Sequence, residues 1–241
     1  RYPSDGGVLG TFVTVYASGT QPGLNAAGSP ATIRVEVIPP PGEVPSILWL
    51  LDKDTLGKAQ TPRGIEDLST LLAATPPRFK HRSDSDGAVG SLSSYRVVVL
   101  TAEAVVRGRV TRQDILDYTA AGGAVLLLGG RVAKEDSATL DQWLAPLGVY
   151  FDPNAGLDGV FATASREWLC RNWTGFEVRD GAGLRTHDSE NVLVPGPTGS
   201  GLAVLVAVPN GRGRVAVLAS PTPLENAALG RAENRRFAGD L

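Results

Sequence analysis

Apolar side chains recur along this chain in two rhythms, which separate strands from helices. Residues 47–51, 97–100 and 124–128 are apolar without alternation, as strands covered on both faces are. Between the second and third runs, Thr111 with Asp114 three residues on is a near-match to a capping box, and Ile115, Leu116 and Tyr118 repeat at helical spacing. Gly122-Gly123 ends that helix, and Gly129-Gly130 ends the strand that follows. Two covered strands joined by a helix lie parallel, side by side and right-handed. The pattern predicts a flavodoxin-like, doubly wound α/β domain with a mainly parallel sheet. Any pocket belongs where its strands end, at Thr101 and Gly129.

Further helices are predicted over residues 62–72, 137–147 and 223–241, the second carrying Leu140, Trp143, Leu144 and Leu147 inward. Short strands are expected near Phe79 and over 149–151, 191–194, 202–208 and 214–219. Pro209-Asn210-Gly211-Arg212 reads as a type I′ turn, so the last two strands form an antiparallel C-terminal hairpin. Residues 152–190 mix Gly, Asp and Arg with Trp168, Trp173 and Phe176, and read as an irregular insert lying over the strand ends as a lid. Residues 1–45 stand apart. There, 8–17 and 31–38 alternate as strands do and form an N-terminal β appendage, either a hairpin or part of a β-sandwich. Pro39-Pro40-Pro41-Gly42 separates it from an α/β domain over 46–241.

The 241 residues suffice for one large domain with an appendage. With 23 basic and 25 acidic side chains and a net charge of −2, no basic footprint marks a nucleic acid or anionic membrane partner, and neither is expected. No apolar run reaches the roughly 18 residues that span a bilayer, so direct membrane insertion of this segment is not expected. One cysteine, Cys170, excludes an internal disulfide framework and a Cys-rich metal site. The chain starts at Arg1 without an initiator Met and ends within a helical pattern, and so reads as a piece of a longer protein.

Tyr95-Arg96-Val97-Val98-Val99-Leu100, a helix ending in Ala121-Gly122-Gly123, and then Ala124-Val125-Leu126-Leu127-Leu128-Gly129-Gly130 resemble the core of the class I glutamine amidotransferase-like superfamily. The likeness is to its non-catalytic branches, the domains resembling gliding-motility auxiliary proteins and intraflagellar-transport subunits. Glu233-Asn234-Arg235-Arg236-Phe237, in the helix that follows the final strand, belongs to the same pattern, and the resemblance covers residues 46–241. Catalytic members place a Cys at the strand-to-helix elbow and a His-x-Glu pair later on. Here Gly129 or Gly130 stands at the elbow, and the histidines are His81 and His187, the latter in His187-Asp188-Ser189. The resemblance therefore implies a non-enzymatic domain without a cofactor, acting in ligand sensing or protein interaction. It also implies a place within a larger membrane-anchored protein, on its extracytoplasmic side, with cytoplasmic placement as the alternative.

Four groups of residues compete for the role of a site. Asp52, Asp54 and Glu103 follow two parallel strands, where converging carboxylates serve a metal-assisted hydrolase or simply cap helices in solvent. Gly129, Gly130 and Arg131, beside Thr101, offer backbone N–H groups and a guanidinium to a small anionic ligand, or else only a tight turn. Trp168, Arg171 and Trp173, with Arg166 and Arg179 near, make a stacking surface for a sugar, for a protein partner or for another domain of the parent chain, or fill space under the lid. Cys170 and His187 share the insert, and a thiol–imidazole pair competes there with a small buried hydrophobe and a solvated histidine.

Overall fold

The computed structural model describes residues 13–14, 32–33, 45–51, 64–74, 80–83, 91–130, 134–163, 173–231 and 233–240. The chain divides into two units, Arg1–Glu43 and Val44–Leu241. In the first, β1 (Val13–Thr14) and β2 (Thr32–Ile33) pair antiparallel, Val13 opposite Ile33.

The second unit is organised by a nine-stranded sheet. Its strands are β3 (Ser46–Leu50), β4 (Lys80–Ser83), β5 (Val97–Thr101), β6 (Ala124–Leu128), β7 (Val149–Ala162), β8 (Gly175–Thr186), β9 (Val192–Pro195), β10 (Ala203–Asn210) and β11 (Gly213–Leu218). They lie in the order β4-β3-β5-β6-β11-β10-β8-β7, with β9 also paired to β10. From β4 to β11 every pairing is parallel, and from β11 onward every pairing is antiparallel. Numbered in chain order, the parallel strands run 2-1-3-4-5, the flavodoxin-like order. The unalternating runs are covered on both faces, for Val98, Leu100, Leu127, Leu128, Val215 and Val217 are all fully buried. The β10–β11 pair is the antiparallel C-terminal hairpin.

The helices are α1 (Glu66–Ala74), α2 (Ala102–Val106), α3 (Arg112–Ala120), α4 (Lys134–Leu144), α5 (Asn226–Leu229) and α6 (Asn234–Asp240). α1 packs with α5 and α6, α2 packs with α4, and α3 packs on β6 and β11. The capping box of α3 is complete: the Thr111 hydroxyl accepts the Asp114 N–H, and the Asp114 carboxylate accepts the Thr111 N–H. α2 is an element the periodicity did not reveal. It follows β5 with no loop between, and the switch falls at Thr101, whose Oγ1 accepts the Ala104 N–H at 3.2 Å.

Three expectations are corrected. The described residues of the stretch 152–190 are no irregular insert, because β7 and β8 form a long antiparallel hairpin within the sheet. Its inward residues Phe151, Leu157, Phe176, Val178 and Leu184 are buried, but register shifts between Asp152 and Gly156 and between Leu157 and Gly159 break the alternation that would have shown it. The closing helix over 223–241 is divided into a 3-10 turn at Thr222–Leu224 and the short α5 and α6. In the β10–β11 turn, Asn210 pairs with Gly213, so Gly211 and Arg212 are the two turn residues. Gly211 has φ +59 and Arg212 is not in the left-handed region, which is the glycine-first pattern of type II′ in place of type I′.

Candidate functional site

β5 and β6 run in register, with Thr101 opposite Leu128, so Thr101 and Gly129 are brought side by side where the parallel strands end. The Thr101 hydroxyl is engaged as the cap of α2. Glu103, in the first turn of that helix, forms an ion pair with Arg107 one turn later, and both side chains are exposed. Gly129 donates its N–H to the Leu218 carbonyl at 2.7 Å. A Cβ on Gly129 would come 2.7 Å from Phe151 Cε1, 2.8 Å from the Leu218 oxygen and 2.9 Å from the Ala219 oxygen, so no side chain fits there. Gly130 has φ +138, a backbone that excludes ordinary side chains for a different reason.

The β7–β8 hairpin rests on these strand ends. Besides the Phe151 contact, Ala182 donates its N–H to the Ala219 carbonyl at 3.1 Å. The buried Ser220 and Thr222 hydroxyls lie 2.6 and 2.9 Å from the Arg179 carbonyl oxygen. The polar groups that follow β5 and β11 are therefore committed to helix capping and to holding the hairpin. Asp52, Asp54, Arg131, Trp168, Cys170 and Arg171 lie outside the described residues. Among the described residues, no three His, Cys, Asp or Glu side chains gather as metal ligands would.

Trp173 is described, and it is a core residue. It is 2% exposed, its ring edge-on to Phe237 at 5.1 Å, while Phe176 stacks on Phe237 at 4.3 Å. Its place in an exposed stacking surface is corrected accordingly. His187 Nε2 lies 3.0 Å from the Tyr150 hydroxyl oxygen, with the rings edge-to-face. Among the described residues, the exposed large apolar side chain is Val160, 67% exposed and paired across the ladder with Glu177.

Reasoning from sequence singled out Glu233 and Asn234 only as part of a pattern and missed their role, which is to tie β8 to the C-terminal segment. The first half of β8 pairs with β7 along one edge, and its other edge is capped by side chains. Asn234 Oδ1 accepts the Glu177 N–H at 2.8 Å, while Asn234 Nδ2 donates to the Ala228 carbonyl at 3.0 Å. The neighbouring Glu233 carboxylate accepts both the N–H and the hydroxyl of Thr174. Those two bonds, the backbone one first, hold the Glu233 carboxyl below its ordinary range, with Arg236 adding to the effect. The available signal was Glu233-Asn234 itself, two polar residues at the N-terminal end of α6.

With this geometry in place, comparison with known proteins identifies the class of fold. The mmIFT52 N-terminal domain superposes with a TM-score of 0.62 at 16% identity, over 80% of this chain and 93% of that one. The cytoplasmic protein STM1381 of Salmonella typhimurium LT2 gives 0.53 at 17% identity, over 73% of this chain and 87% of its own. STM3548, a cytoplasmic protein of Salmonella typhimurium, gives 0.54 at 12% identity, over 82% and 96%. The β-galactosidase of Rahnella sp. R3 matches at 0.54 and 13% identity, but this chain covers only 30% of it. The chain thus has the fold of the mmIFT52 N-terminal domain, and that fold also occurs as a part of a larger polypeptide. No protein-family model and no curated protein matches the sequence.

Proposed function

We propose that residues 46–241 form a non-enzymatic protein-interaction domain, a non-catalytic relative of the amidotransferase-like proteins. The observation that carries this reading is the contact between Gly129 and Phe151. At the elbow where the resemblance would place a nucleophile, an aromatic ring and two carbonyls fill the space of any side chain. The engaged hydroxyls of Thr101, Ser220 and Thr222 and the paired Glu103 point the same way. The shared fold with the mmIFT52 N-terminal domain agrees with the sequence resemblance to intraflagellar-transport subunits. In this reading the domain serves within a larger protein, as the same fold does within the β-galactosidase chain. No described helix is long and apolar enough to cross a membrane. In this reading the larger protein is membrane-anchored and holds the domain on its extracytoplasmic side.

The test pairs two measurements on the purified chain. Size-exclusion chromatography with light scattering, run with neighbouring domains of the parent protein, should show a stoichiometric complex. Assays against ester, amide and glycoside substrates should show no turnover above buffer. Hydrolysis that Thr101→Val or Glu103→Gln abolishes would overturn the reading in favour of strand-end chemistry.

A further inference from the structure

We infer that Asn210 is a latent deamidation site, guarded by the folded domain and opened when the β10–β11 turn leaves α3. The chemistry is intrinsic to asparagine followed by glycine, because a residue without a side chain leaves its main-chain nitrogen unhindered. The Gly211 nitrogen attacks Asn210 Cγ, a new C–N bond closes a five-membered succinimide, and the Cγ–Nδ2 bond breaks. Nδ2 departs as ammonia, carrying the proton lost by the Gly211 nitrogen. Water then opens the ring to aspartate or isoaspartate, and no oxidant or cofactor is required.

The fold opposes each part of that step. The leaving nitrogen is held twice, Asn210 Nδ2 donating to the Leu116 carbonyl at 2.9 Å and to Thr119 Oγ1 at 2.7 Å. Thr119 is itself fixed, its hydroxyl 2.8 Å from the Ile115 carbonyl oxygen. Gly211 is pressed on the end of α3 so closely that a Cβ there would come 2.6 Å from Ala120 Cα. Arg212 adds a backbone bond to the Ala120 carbonyl at 3.2 Å and a side-chain bond to the Ala121 carbonyl at 2.9 Å. Closing the ring therefore requires the turn to come off the helix.

The product cannot return to the same place. Aspartate puts a carboxylate oxygen, which only accepts, against the Leu116 carbonyl, which also only accepts. Isoaspartate inserts an extra main-chain atom next to the Asn210–Gly213 pair and spoils its register. Conversion of Asn210 thus turns a reversible opening of this hairpin into a permanent one.

The test uses the whole chain, incubated at mildly alkaline pH in native buffer and in urea, with peptide mapping of aspartate and isoaspartate at position 210. Conversion in native buffer should be at least about tenfold slower than in urea, the factor expected from holding two hydrogen bonds. Thr119→Val should speed native conversion, and Thr119→Ser should not. Urea-treated chain returned to native buffer should show lower unfolding midpoints in proportion to its converted fraction. Equal conversion in the two buffers overturns the guard. Converted chain that refolds to the original midpoint overturns the consequence.

Discussion

The ring of Phe151, on β7, lies where a side chain at Gly129, after β6, would have to stand: a Cβ at 129 comes 2.7 Å from Phe151 Cε1. Gly129→Ala should therefore destabilise the domain by about 1–3 kcal/mol, the range for overfilling a packed site. Phe151→Ala should cost about 3–5 kcal/mol by opening a cavity. The two changes share one space, so the double variant should be less destabilised than the sum of the singles. Relief stays incomplete, because the Leu218 and Ala219 carbonyls also crowd position 129. Urea unfolding of the four proteins measures the coupling, and strict additivity would show that the ring does not close the elbow.

Asn234 has no exposed surface and serves two backbone groups on separate segments, the Glu177 N–H and the Ala228 carbonyl. Asn234→Ala leaves the Glu177 N–H without that acceptor, while the Ala228 carbonyl keeps the Arg231 N–H at 2.8 Å, so the loss should be about 1–3 kcal/mol. Asn234→Asp keeps the acceptor for Glu177 but sets a buried carboxylate against the Ala228 carbonyl, so near neutrality its midpoint should fall at or below that of the Ala variant. An Asn234→Ala chain with an unchanged midpoint would mean that β8 does not depend on this cap.

Glu233 carries a pH dependence whose sign follows from its two bonds to Thr174. Its carboxyl is held below the ordinary value of 4.5, so the stability it contributes is present above that pH and is lost as pH falls through the depressed folded value. Glu233→Gln should be less stable than wild type near neutrality and should lose less on acidification. Unfolding midpoints of the two proteins, compared between neutral and acid pH, should converge as the pH drops, and parallel curves would contradict the assignment.

The parallel half of the fold was legible because its strands are covered on both faces, and 97–100 and 124–128 therefore show as unbroken apolar runs. The capping box at Thr111 was legible for a local reason, since both partners lie within one turn. The β7–β8 hairpin was hidden because its alternation is reset at two bulges and interrupted by Pro153, Gly156 and Gly159. Trp173 was misplaced for the same reason. An aromatic residue beside arginines suits an exposed surface in sequence, and its contact with the Phe176–Phe237 stack, in which Phe237 comes from the far end of the chain, makes it core. Gly129 could be read as an absence of nucleophile, but not as a space filled from β7, because Phe151 reaches it only through the folded sheet.

Tyr118 provides an alkaline counterpart to Glu233. Its ring covers Gly123, where a Cβ would fall 2.2 Å from Tyr118 Cζ, and its hydroxyl donates to the Tyr95 carbonyl at 3.1 Å. Burial pushes the phenol well above its ordinary value of 10.0. A raised folded value means that the stability is fully present below the unfolded pKa and is lost as pH climbs from about 10 toward the folded value, since the unfolded chain ionises first. Tyr118→Phe removes the proton along with the bond to Tyr95, so it should cost about 1 kcal/mol at neutral pH. The variant should also lose less stability than wild type on passing pH 10. The other tyrosines are common to both proteins, so the difference between their urea midpoints isolates residue 118. If the gap between the two proteins stays constant into the alkaline range, Tyr118 does not titrate as a buried phenol.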